Sequence, residues 1–150
     1  VIITSKLVFE ESLLARSDLP SRVRAVLPNA VSQALLSTDM RERHGACVLK
    51  GARVLGSGFN SMRPLGYIRA SRNRQFCNER AHAETSAMHR VCRDSLRGST
   101  IIVIRLARDS SIVGSRPCDT CMRVMVRKGI KRCYYSVDSV TFGLIKFPWR

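Results

Sequence analysis

Only about five residues separate the apolar run 131–136 from the next one, 142–147, and a parallel crossover between neighbouring strands needs a dozen or more. If those two strands are neighbours, they are antiparallel. Ala30, Val31, Ala34, Leu35 and Thr38 recur at three and four, which predicts an amphipathic helix beginning just after Pro28. The runs 45–50 and 54–59, joined across Gly51, read as a β-hairpin. Ala83, Ala87, Met88 and Val91 mark one side of a helix over 81–93, and β-branched residues mark a strand over 99–106. A polar loop over 107–117 precedes a further helix, 118–128, stopped by Gly129. Helix, two strands, helix, strand, helix, two strands describes an α/β protein of three α/β/α layers, with a mixed central sheet of about five strands. Residues 1–28 are weakly patterned. Leu7, Val8, Leu13 and Leu14 could form a helical stripe, but Pro20 and Pro28 interrupt it. The expectation is an N-terminal arm over 1–28 and one domain over 29–150.

Charge narrows the partners. Lys plus Arg is 26 against 11 acids, a net of +15 in 150 residues. So lopsided a balance points to a polyanion, most simply nucleic acid, with a merely solubilising basic face as the alternative. An apolar content of 45% argues against wholesale disorder. No apolar run approaches the ~18 residues of a membrane span. Arg63, Arg69, Arg72, Arg74 and Arg80 crowd one long loop, and Arg123, Arg127, Lys128, Lys131 and Arg132 form a second basic run. Facing one way they would make a phosphate-binding surface; otherwise they are a solvated rim. No secretory signal precedes the six cysteines, so a reducing compartment is expected, with Cys47 and Cys133 as small core residues. Val1 in place of Met reads as a processed or truncated start, and an organelle would suit it. Glu10, Glu11 and Asp18 are unlike an acid-poor transit peptide.

Two short clusters carry chemistry: His82-Ala83-Glu84 and Pro117-Cys118-Asp119-Thr120-Cys121. At a helix start, positions i and i+3 share a face, so Cys118 and Cys121 could grip one Zn²⁺, with the helix dipole favouring the thiolate. Alone, the pair could equally be a redox couple or two core cysteines. His82 would add a third ligand, although a lone histidine there is more often a polar cap. Three protein ligands and one open position describe a catalytic zinc. Glu84 then reaches activated water without binding metal, provided that His82 sits at the very start of its helix. Cys77 is a possible extra ligand or a bystander. His44 reads as surface or hairpin packing, and His89 is two turns from His82, too far to share its metal. Phe147 and Trp149 could stack on a base, but packing is the commoner fate.

The joint pattern, H-A-E followed by P-C-x-x-C, resembles the zinc-dependent cytidine and deoxycytidylate deaminase superfamily over roughly residues 29–147. The resemblance implies that His82, Cys118 and Cys121 hold zinc. It implies that Glu84 moves protons from water to the ring nitrogen and the departing ammonia. Asn60 would contact the sugar, Phe59 lies in the strand end that meets substrate, and the backbone at Ala83 and Cys118 would contact the base. The implied activity is hydrolytic deamination of cytosine in a nucleotide or a nucleic acid, RNA or single-stranded DNA. A tRNA adenosine deaminase-like enzyme is an alternative. A different class is a deaminase-fold RNA-binding subunit of a large ribonucleoprotein such as an organellar ribosome. Relatives are usually homo-oligomers.

Overall fold

The computed structural model describes residues 2–4, 7–62 and 81–148. Arg63, Arg69, Arg72, Arg74, Cys77 and Trp149 therefore lie outside the described residues. In chain order the elements are β1 (Ile2–Thr4), β2 (Leu7–Ala15), α1 (Ser21–Leu35), β3 (Arg43–Lys50), β4 (Arg53–Phe59), α2 (Ala83–His89), α3 (Arg93–Leu96), β5 (Thr100–Leu106), β6 (Ile112–Val113), α4 (Asp119–Lys128), β7 (Arg132–Ser136) and β8 (Thr141–Lys146).

Seven strands form one path, β1-β2-β8-β7-β5-β3-β4, and β6 pairs with the end of β5. Among the described strands only β5 and β7 run parallel, and α4 makes the crossover between them. β7 and β8 are antiparallel, as their short connection requires. The layers are α/β/α. The side chains of β5 alternate between them: Ile101 and Val103 face α2–α4, while Ile102 and Ile104 face α1. Covered on both sides, this strand reads as continuous apolar sequence. Cys47 and Cys133 are buried core residues as expected, and burial pushes the Cys47 thiol up to about 11. No helix among the described residues is long and apolar enough to cross a membrane.

Three expectations need correction. Among the described residues the sheet has eight strands, not about five, because the N-terminal stretch and the polar loop both contribute. Leu7 and Phe9 are buried while Val8 and Glu10 are exposed, so the stretch read as a helical stripe has the two-residue period of a strand. It pairs with β8 from Glu10–Lys146 to Ala15–Thr141. The helix expected to begin just after Pro28 is α1, which starts at Ser21 and runs through Pro28. An interior proline costs about 3 kcal/mol. Val23, Val26 and Leu27 before it and Ala30 and Ala34 after it are all buried on the sheet, and each large apolar side chain returns roughly 1.5–3 kcal/mol. Finally, the helix expected over 81–93 breaks at Arg90 into α2 and α3.

Candidate metal centre and active site

Ser61, just past β4, bridges to Ala81, just before α2, and the stretch after β5 leads through β6 to α4. Both helix starts therefore lie off the carboxyl ends of strands, where open α/β sheets place their ligands. His82 caps α2 with extended backbone (φ −83°, ψ 151°), and its carbonyl accepts the first helical bond from the Ser86 amide at 3.0 Å. Its imidazole takes no part in capping and is free to aim elsewhere. Cys118 caps α4 in the same conformation (φ −71°, ψ 161°), and its sulfur accepts from the Cys121 amide at 3.5 Å. Glycines fix the height of α2 over the sheet. A Cβ on Gly58 would stand 2.6 Å from the Ala87 nitrogen and 2.8 Å from the Ser86 Cβ, so only glycine lets the helix backbone lie on β4.

His82, Cys118 and Cys121 converge. His82 Nδ1 lies 3.3 Å from the Cys121 sulfur and 3.8 Å from that of Cys118. All three donor atoms lie within 4.8 Å of one another. Ligands on a tetrahedral zinc with bonds of about 2.0–2.3 Å stand roughly 3.5–3.8 Å apart, so the donor set and its spacing fit that ion. Hydrogen bonding from Cys121, followed by His82, pulls the Cys118 thiol down to about 3 against the opposing effect of burial. The bond to Cys118 raises the His82 pKa.

Glu84 follows in the first turn of α2 and is 5% exposed. It shares a cavity of about 250 Å³ with His82, Ala83, Cys118, Asn60, His44 and Arg116. Burial raises its pKa, with His44 the largest opposing charge and His82 a lesser one. Burial that disfavours its charge suits a carboxyl to accepting a proton and handing it on.

The rest of the pocket comes from strands and a loop. The Asn60 Oδ1 accepts from the His44 amide at 2.8 Å and from Ser37 Oγ, while its Nδ2 donates to the Glu42 carbonyl. Its amide has a second N–H beyond that bond. Sequence reasoning missed His44. It lies inside β3, not before the first strand, and its Nδ1 stands 3.3 Å from the Glu42 carbonyl, to which it donates. Its alternation with buried Gly45 and Cys47 was the available signal. Arg116 was missed too. Its Nε and Nη2 donate to the two Glu11 oxygens at 2.8 and 3.2 Å, Tyr135 donates to Glu11 as well, and the guanidinium lies 5.9 Å from the Phe9 ring centre. Ser115, next to it, donates to the Val103 carbonyl and accepts from the Ser136 amide, so the loop before Cys118 is pinned to β5 and β7.

Phe59 is partly buried at the end of β4 and is not among the residues lining the pocket. Arg123, Arg127 and Lys128 are exposed on α4. Arg127 and Lys128 sit at the far end of α4 and line a different groove.

The cytidine and deoxycytidylate deaminase zinc-binding region matches residues 21–137. No curated protein matches the sequence closely enough to count as a relative. Among solved structures, the apo dCMP deaminase of cyanophage S-TIM5 is similar at 21% identity, covering 81% of this chain and 87% of that one, with a TM-score of 0.56. The same phage enzyme in complex with dCMP and dUMP is similar at 22% identity over 75% of this chain and 79% of that one, with a TM-score of 0.51. At such identities the likeness establishes the fold. The family match spans most of the chain and includes both helix starts that carry the donor cluster, so the chain belongs to the cytidine and deoxycytidylate deaminases, a family of zinc-binding hydrolytic deaminases.

Proposed function

We propose that this protein deaminates cytosine hydrolytically in a nucleotide or a nucleic acid, with Glu84 as the proton carrier. The observation that supports this most is the sharing of one pocket by a buried carboxyl and by His82 and Cys118, two members of a three-donor cluster of zinc-like spacing. His82, Cys118 and Cys121 would hold the metal. Zinc in such a site supplies Lewis acidity and brings the pKa of water down toward ~7. The chain's own groups do the rest. Glu84 takes a proton as the water oxygen bonds to C4 and passes it to the ring nitrogen, then carries the second proton from the new C4 hydroxyl to the amine. The C4–N bond breaks, leaving uracil and ammonia. Asn60 offers its remaining N–H to the sugar, Ala83 and Cys118 meet the base along their backbone, and His44 presents Nε2 to the pocket. An RNA-binding scaffold would need the cluster for stability alone and would leave the buried carboxyl without a role, so the enzyme reading is favoured. The test is ammonia release from cytidine, CMP, dCMP and single-stranded oligonucleotides, comparing the native protein with Glu84→Gln. Release by the former and not the latter supports the reading. Silence on all substrates from zinc-loaded protein refutes it.

A further inference from the structure

The larger cavity is not the metal pocket. It is a groove of about 530 Å³ at the opposite end of α4. Arg93 and Arg97 line it from α3 and its end, Arg127 and Lys128 from the last turn of α4, and Asp94 is the one carboxylate among its described lining. Lys50 brings another ammonium beside it, donating to the Ser95 and Arg97 carbonyls at 3.3 and 3.0 Å. Cations in the last turn of a helix complement its dipole. That accounts for Arg127 and Lys128 on α4 and for Arg93 on α3, but not for the meeting of the two helix ends in one groove. Val8 and Val126, both exposed, give the groove an apolar part that can meet sugars or bases. Four clustered cations against one described carboxylate give the groove a positive field that complements a polyanion.

We propose that this groove binds the phosphate backbone of a single-stranded nucleic acid. α4 spans ten residues, about 15 Å, between Cys118 at the metal pocket and the groove. Exposed Arg123 lies one turn before Arg127 on the same helix, between the two sites. At ~3.4 Å per nucleotide along a stacked strand, four or five phosphates cover that distance. A base buried beside Glu84 must be unpaired, so a single strand is the form that could occupy both places. The link to the pocket rests on the deaminase reading, but binding at the groove does not.

Fluorescence anisotropy tests this with the full chain, single-stranded DNA and RNA of 2, 4, 8 and 16 nucleotides, and salt from 50 to 300 mM. The variant is Arg93→Gln/Arg127→Gln/Lys128→Gln, with zinc content and melting temperature as controls on folding. A second variant, Arg93→Lys/Arg127→Lys, keeps the charge. The neutral variant is expected to bind the 16-mer at least tenfold more weakly, with a log–log salt slope shallower by about 2 for three lost phosphate contacts. The lysine variant is expected to bind nearly as the native protein does. The native affinity should rise sharply between 4 and 8 nucleotides. Equal affinity and slope in native and neutral proteins would overturn the inference, as would an equal loss for 2-mers and 16-mers. It would also fall if the neutral variant lost binding to anionic vesicles or acidic peptides but not to nucleic acid. Groove-dependent binding without ammonia release from any substrate would leave this inference standing and defeat the deaminase reading.

Discussion

The metal cluster and the pocket rim around it are held in different ways. The cluster hangs on the caps of two helices, with each ligand placed by backbone conformation and one turn of hydrogen bonds. The rim hangs on the sheet. Arg116 is held by Glu11 from β2, Glu11 by Tyr135 from β7, and Asn60 by groups at the start of β3. Damage to the first should therefore abolish chemistry, whereas damage to the second should shift affinity or stability and leave the metal in place.

Cys118→Ala and Cys121→Ala probe the difference most severely. Each should lower zinc from about one ion per chain to nearly none and take ammonia release to background, as read by metal analysis beside the activity assay. If either variant keeps full zinc, the cluster does not hold it as described. Glu84→Gln should cut kcat by roughly 10²–10⁴-fold with zinc unchanged. Its melting temperature should match or exceed the native value, since a buried ionisable group is removed. A lower one would mean that Glu84 is structural.

On the rim, His44→Leu should raise KM about tenfold with a smaller change in kcat and no loss of zinc. A fall in kcat alone would move His44 from binding to chemistry. Glu11→Gln should be mildest, destabilising by about 1 kcal/mol, because Arg116 is 45% exposed and screened. Arg116 first, and then Tyr135, hold the Glu11 carboxyl below its usual value of 4.5 despite partial burial. A depressed carboxylate contributes stability that is complete above the unfolded value and disappears as pH falls through the folded one. Urea melts of native and Glu11→Gln proteins should therefore differ most above pH 5 and converge toward pH 3. A gap that stays constant across that range would assign the loss to packing.

The same contrast explains what the sequence made legible. His82, Glu84, Cys118 and Cys121 could be read because one helical turn writes their geometry into spacing of two or three residues. Glu11 and Arg116 stand 105 residues apart, and Glu11 and Tyr135 are 124 apart, so no local pattern joins them. β2 was hidden because its alternation is clean only at Leu7–Glu10 and is then broken by the adjacent Leu13 and Leu14. Pro28 disguised the start of α1, where burial on the sheet outweighed a local breaker. Burial of Cys47 and Cys133 was legible from their apolar neighbours, whereas His44, in a strand facing the pocket, carried no helical signature.

X-ray absorption at the zinc edge on the purified full-length chain examines the central claim most directly. The account predicts two sulfurs near 2.3 Å, one imidazole nitrogen near 2.0 Å and one further light atom from solvent. Each cysteine variant should lose one sulfur or the metal itself. Zinc surrounded by four protein ligands, or bound equally well after Cys118 and Cys121 are both replaced, would contradict it.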